Sequence, residues 1–179
     1  MTYTIITGNT LKKDKFIKEF NVHNLSCEFL KIDLLEIQSD DPKKVSINKA
    51  RQAFDLVNKA VVVDDVGFYI DKYINYPGIY IKHTFKGLGI DNFLNLFNED
   101  DTAKIVCTIC LKDCDKEKVF VGEITGKLTK KVNNINIENP LSSIFIPNGH
   151  IKTLENLSNI KDHRTIAIKN MLKYLNENN

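Results

Sequence analysis

Cysteine is scarce in this chain: Cys27, Cys107, Cys110 and Cys114 are the four among 179 residues, a usage that fits a reduced, intracellular protein. Cys107 and Cys110 form a CxxC pair, but they lie in an alternating segment. Side chains three apart on a strand point to opposite faces, which argues against a shared metal and for simple packing. Long apolar runs are missing as well. None approaches the ~18 residues of a membrane helix. The opening MTYTIITGN has no basic segment leading into a signal core. We therefore expect a cytoplasmic protein with no membrane partner. Excess charge of either sign is absent, since 25 basic and 23 acidic side chains leave a net +2 and are interspersed. Without a basic patch carrying interleaved aromatics, nucleic acid is not the expected partner, while a local basic pocket for a small phosphate ligand stays open. The chain also shows no internal repeat, no linker and no GxxxxGK[ST] loop.

What is present is ordinary globular material, 42% apolar and 27% charged, long enough for one domain over residues 1–179 with its own core. Residues 3–7, YTIIT, read as a strand closed by the turn signal Gly8-Asn9. Phe16, Ile17 and Phe20 then form the stripe of an amphipathic helix, and residues 27–35 read as a second strand. Asp41-Pro42 is a helix start, with Ile47, Ala50, Phe54 and Val57 recurring at helical spacing to about Asn58. The unbroken apolar run 60–63, AVVV, predicts a central strand buried on both faces, with Asp64-Asp65 at its end. Farther on, Tyr76-Pro77-Gly78 is a turn, Asp91 to Phe97 a helix, and residues 103–112 and 118–125 the strands of a hairpin. Residues 130–143 read as loop, Ile144-Phe145-Ile146 as a short strand stopped by Pro147, and the chain from about Thr165 as a helix with Ile168, Met171, Leu172 and Leu175 on one face. The class is α/β, a mixed sheet with helices packed on it and an antiparallel second half.

Two places could carry chemistry. Thr7-Gly8-Asn9 stands at a strand exit with Lys12 in the first turn of the next helix, where free backbone amides and a mobile ammonium can receive a phosphate; the alternative is an ordinary capped turn. Asp64-Asp65 follows a central strand, where ligand crevices form in α/β sheets, and paired carboxylates there suit Mg²⁺; the alternative is an acidic turn. Glu36 could reach the same crevice, and His163-Arg164 opens the last helix with several donors. Lys49 and Lys82 mean little taken alone.

In the order of these motifs the chain resembles the inosine triphosphate, or non-canonical purine nucleoside triphosphate, pyrophosphatases over essentially its whole length. Thr7, Gly8, Asn9 and Lys12 are similar to the family's phosphate loop, and Glu36-Ile37-Gln38 to its EIQ stretch, where the glutamate is a metal ligand. Lys49 falls on a lysine that contacts the triphosphate, and Asp64-Asp65 with Gly67 on an acidic pair whose second member binds metal and acts in catalysis. Pro77-Gly78, Tyr80, Ile81 and Lys82 resemble the PGxYxK segment beside the substrate. Asp162-His163-Arg164 matches the base-holding SHR motif with aspartate for serine. Where relatives carry FGWDP or FGYDP, this chain has Asn139-Pro140-Leu141-Ser142-Ser143, without the stacking aromatic or the aspartate.

The resemblance implies an elongated mixed β-sheet flanked by helices, in two lobes with an active-site cleft between them. It implies Mg²⁺ (or Mn²⁺) held by Glu36 and Asp65, with Asp65, Lys12 and Asp64 as catalytic positions. Thr7, Gly8, Asn9, Lys12, Lys49, Lys82, Phe145, Lys161, His163 and Arg164 are the expected substrate contacts. The implied reaction splits a nucleoside triphosphate into monophosphate and pyrophosphate, in a homodimer. A broader nucleotide preference, or nucleotide binding without catalysis, is the alternative that the altered base loop leaves open.

Overall fold

A computed structural model describes residues 2–132 and 134–178 of the chain. Strand β1 (Thr2–Ile6) leads through residues 7–9 into helix α1 (Thr10–Val22), and strand β2 (Ser26–Leu30) returns parallel to β1 in register from Thr2↔Ser26 to Ile6↔Leu30. Helix α2 (Pro42–Val57) starts as the sequence predicts. Asp41 accepts from the Lys43 amide at 2.9 Å, Pro42 opens the first turn, and Asn58 closes the helix in the left-handed region at φ 51°. Strand β3 (Val61–Ile70) lies parallel to β1, with Thr4↔Val61 and Ile5↔Val62 as partners.

Beyond β3 the chain forms β4 (Pro77–Gly78), α3 (Ile81–Leu94), β5 (Thr102–Lys112), β6 (Glu117–Leu128), α4 (Pro140–Ile144), β7 (Phe145–Pro147), a 3₁₀ turn (Leu154–Asn156) and α5 (His163–Glu177). The sheet order is β2-β1-β3-β5-β6-β7, with β4 antiparallel to β3. Two compact units divide the chain: Met1–Val66, Cys107–Gly122 and Asp162–Asn179 form one, and Gly67–Val106 and Glu123–Lys161 the other.

In the first unit the sheet is buried on both faces. Tyr3, Ile5, Val62, Cys107 and Ile109 pack with Phe16 and Phe20 of α1 and with Ala167, Ile168, Met171 and Leu172 of α5. Ile6, Val61, Val63 and Cys110 pack on the opposite face with Ala50 and Ala53 of α2. Cys107 and Cys110 thus fall on opposite faces, as the alternation predicts. The second unit is built on rings. Phe93 meets Phe68, Phe85 and Phe97 at centroid distances of 6.2, 4.4 and 6.1 Å, and Phe145 stands edge-on to Phe68 at 6.4 Å.

Four expectations are corrected. The strand predicted over 27–35 stops at Leu30, because its partner β1 has only five residues to offer. Residues 31–41 are loop, held instead by Gln52 of α2, whose side chain accepts from the Leu35 amide at 3.0 Å and donates to the Leu35 carbonyl at 2.8 Å. Asp64 and Asp65 are not at the end of the central strand, which continues to Ile70 and pairs with β4 through Phe68 and Tyr69. The helix predicted over 91–97 is the second part of α3 and ends at Leu94; a first part from Ile81 precedes it, and the two are divided by a kink at Gly89, where φ is 71° and ψ 166°. Ile144 belongs to α4, and β7 includes Pro147.

Candidate active site

The pleat of β3 decides what its two aspartates can do. Successive side chains of a strand leave opposite faces. Val62, Asp64 and Val66 therefore share the α1–α5 face, and Val61, Val63 and Asp65 the α2 face, in agreement with the hydrophobic groups that Val62, Val66, Val61 and Val63 join.

On the α1–α5 face the Asp64 side chain is 1% exposed, and both of its oxygens are taken. Lys12 Nζ lies 3.0 Å from Oδ1 and Arg164 Nε 2.9 Å from Oδ2. Burial works to raise the Asp64 pKa, but the two cations outweigh it and hold the carboxyl well below the usual carboxylate range. Lys12 is delivered to this position by the turn before α1. Asn9 caps the helix by accepting from the Lys12 amide at 3.2 Å, and the Asn9 amide in turn donates to Thr7 Oγ1 at 3.1 Å. Gly8 is exposed, with the stem of Lys31 lying over it.

On the α2 face Asp65 is half-buried, and its Oδ1 accepts from the Val66 amide at 3.1 Å. Burial is the main cause that raises the Asp65 pKa; Lys49 and Lys12 pull it down, while Glu36 and Asp64 add to the rise. Glu36 is exposed in the loop that Gln52 holds, and Lys49, three residues before Gln52 on α2, donates to Glu36 Oε1 at 2.8 Å. Burial pushes the Lys49 pKa down, but Asp65, Glu36 and Asp64 together carry it up. Glu36, Lys49 and Asp65 are therefore electrostatic neighbours, and Lys12 acts on Asp65 as well.

The donor set fits a small hard cation. Glu36 and Asp65 offer carboxylate oxygens as electrostatic neighbours, and burial, with the charge of Glu36 adding to it, makes ionisation of Asp65 costly, a cost that a bound cation relieves. Asp113, Cys114 and Asp115 are the one close group of three acidic or thiol ligands among the described residues. They form the β5–β6 turn, in which Asp113 Oδ1 accepts from the amides of Asp115 and Lys116, an ordinary turn geometry.

The first turn of α5 completes this part of the molecule. Asp162 caps the helix, accepting from the Thr165 amide at 2.9 Å through Oδ1, while its Oδ2 pairs with Lys15 of α1. Burial would raise the Asp162 pKa, but His163, Lys15 and the Thr165 amide hold it at about 2. His163 is buried, its Nδ1 has no hydrogen-bond partner among the described residues, and burial followed by the charge of Arg164 lowers its pKa to about 3. The aspartate standing for serine in this motif thus caps the helix and is neutralised locally by Lys15.

Thr7, Gly8, Asn9, Lys12, Glu36, Lys49, Asp64, Asp65, His163 and Arg164 all lie in the first unit. Lys82, Phe145 and Lys161 lie in the second, with Lys82 and Lys161 exposed. Phe145 is fully buried, with its ring edge-on to Phe68 in the aromatic cluster of its own unit. Asp64 is bonded through both oxygens, to Lys12 and to Arg164, on the face opposite Asp65. The loop before β7 is folded by polar contacts: Ser143 donates to Glu155 Oε2 at 2.7 Å and accepts from the Asn136 amide at 3.0 Å. The pair Lys15–Asp162 was missed in the sequence, although Lys15 stands one helical turn from Lys12 on the same side of α1.

Comparison with known proteins gives one answer. A model of the Ham1 family matches residues 3–174. The dITP/XTP pyrophosphatase of Saccharolobus solfataricus is 27% identical over 96% of this chain and 92% of its own length. Inosine triphosphate pyrophosphatase 2 of Trypanosoma cruzi is 32% identical over 71% of this chain and 66% of its own. The Ham1 protein of Staphylococcus aureus superposes with a TM-score of 0.75 over 100% of both chains at 23% identity, a likeness of fold.

Proposed function

The chain belongs to the Ham1 family, and from that premise we propose that it is a pyrophosphatase of non-canonical purine nucleoside triphosphates, such as ITP, dITP and XTP. The observation that carries the reading is the division of β3 between a carboxylate saturated by two cations and a neighbouring carboxylate whose pKa is raised, chiefly by burial. The first fixes cations where a polyphosphate needs them, and the second is a proton acceptor of raised basicity.

Water is added across the α–β phosphoanhydride, giving nucleoside monophosphate and pyrophosphate. The backbone amides of the Thr7-Gly8-Asn9 turn and the ammonium groups of Lys12 and Lys49 neutralise the triphosphate, the portion common to all such substrates. Asp65 orients the attacking water and takes its proton. Glu36 and Asp65 are the residues that would hold Mg²⁺ (or Mn²⁺), whose role is to polarise a phosphoryl oxygen and offset developing charge. His163 and Arg164 read the purine edge. A donor facing a 6-keto oxygen disfavours adenine, whose amino group leaves one partner unpaired. A homodimer and a cytoplasmic location belong to the same proposal and rest on the family resemblance.

The burial of Phe145 and the polar contacts of Ser143 favour a second reading, a broader nucleotide range without aromatic stacking on the base. A panel of ITP, dITP, XTP, GTP and ATP, assayed for pyrophosphate release with Mg²⁺ and again with a chelator, separates the two. We expect ITP and XTP to turn over ahead of ATP, and chelation to stop the reaction. Equal turnover of ATP and ITP leaves only the broader reading, and no turnover of any triphosphate removes the enzyme.

A further inference from the structure

Reading the purine edge with the first turn of α5 requires that this turn stand in one place. Three contacts bear on it, and only one of them belongs to the site residues already assigned. Arg164 is held by Asp64, as described. The second contact is steric. Gly122 of β6 lies directly under α5, and a Cβ built on it would overlap the His163 carbonyl oxygen and the Ala167 amide nitrogen. These are backbone atoms, which cannot swing aside as a flexible side chain could, so only glycine lets the helix seat at this height.

The third contact is ionic. Lys15 Nζ pairs with Asp162 Oδ2, whose carboxylate is buried and whose other oxygen caps the helix. Lys15 follows Lys12 by one turn of α1. One side of α1 thus presents two ammonium groups in sequence, the first to a carboxylate of β3 and the second to a carboxylate of α5, while Arg164 of α5 closes the ring on the same β3 carboxylate. The helix that begins at the phosphate turn therefore also sets where His163 and Arg164 stand.

We propose that Lys15 and Gly122 are positioning residues for nucleobase discrimination, acting through the first turn of α5 and touching no substrate themselves. This rests on the reading of His163 and Arg164 as base contacts. Loss of the Lys15 charge leaves the Asp162 carboxylate without its counter-ion, and the first turn of α5 then loosens from α1. Lys12, Lys49, Glu36 and Asp65 keep their places.

The test compares wild type with Lys15→Met, Lys15→Arg and Gly122→Ala. Lys15→Met should raise KM for ITP about tenfold and reduce the ITP-over-ATP ratio, with kcat nearly unchanged, because a contact to the base far from the reacting bond is weakened equally in the ground and transition states. Lys15→Arg should restore both, and Gly122→Ala should reproduce the Lys15→Met pattern with a larger rise in KM. A second readout needs no activity. Diethyl pyrocarbonate labelling followed by mass spectrometry should find buried His163 protected in wild type and labelled in Lys15→Met, with exposed His83 and His150 as internal controls. Unchanged KM and base ratio in a folded Lys15→Met overturn the proposal, whatever the labelling. If wild type cleaves no triphosphate, the enzymatic reading fails on its own, and continued protection of His163 in Lys15→Met then overturns the tether separately.

Discussion

The two faces of β3 carry the same side chain one residue apart and treat it in opposite ways. Asp64 is sealed between Lys12 and Arg164, with both oxygens bonded and its pKa held down. Asp65 faces Glu36 and Lys49, with its pKa pushed up mainly by burial. Chemical identity therefore says little about role. What differs is the balance of counter-charge on each face, and that balance is set by which helix packs there: α1 and α5 on one side, α2 on the other.

The comparison breaks most visibly at Asp65. Asp65→Asn should lower kcat by about 10²- to 10⁴-fold, the range for loss of a positioned general base. The rate of wild type should rise with pH through an acid limb, because Asp65 must lose its proton to act, and a cation held by Glu36 and Asp65 should bring that limb to lower pH. Stability of the metal-free protein should move the other way. With its folded pKa raised above the ordinary carboxylate value, Asp65 binds more proton in the folded than in the unfolded state between the two values, so stability falls as pH rises through that window. Metal-free Asp65→Asn should accordingly melt above wild type at neutral pH. A rate profile without such a limb, or a variant of full activity, sinks the assignment of the base.

Asp64 should respond in the opposite sense. Asp64→Ala leaves two cations facing a low-dielectric hole, and urea titration should show a loss of about 3–5 kcal/mol, the cost of breaking a buried ion pair from one side. If instead the variant folds with native stability and loses only turnover, Asp64 acts in the chemistry and the contrast between the faces is wrong. The smallest effect is expected from Lys49→Met. Lys49 is the first of the charges that lower the Asp65 pKa, so its loss should move the acid limb of kcat to higher pH and weaken triphosphate binding, with the fold intact. A limb that shifts downward would show that Lys49 does not face Asp65.

Much of this was legible before any coordinates. The cap at Asp41, the proline after it and the apolar spacing gave α2 nearly to the residue, because helix starts are encoded by local hydrogen bonding. The hairpin of β5 and β6 followed from alternation, and the split of Cys107 from Cys110 followed from the pleat. The motif residues Thr7-Gly8-Asn9, Lys12, Glu36, Lys49 and Asp65 were found by pattern and resemblance, and the structure places all of them in one compact unit. Other elements were hidden for physical reasons. The helical turns before Gly89 carry no clear apolar stripe, so only the part of α3 beyond that kink was foreseen. The five residues of α4 are too few to show a period.

Local chemistry, then, was the province of the sequence: where helices begin, which strands alternate, which residue types can hold a phosphate or a cation. Contacts between distant parts of the chain were decided by tertiary structure alone. Lys15 meets Asp162 across 147 positions and Arg164 meets Asp64 across 100, and no periodicity announces either pairing. Gly122 falls within residues 118–125, which the sequence shows only as a strand, and the helix lying against its backbone shows why nothing larger could stand there. The physical reason is common to all three. Charge pairing and close backbone approach depend on distance in space, and a sequence specifies distance only within the few residues that share a turn or a pleat.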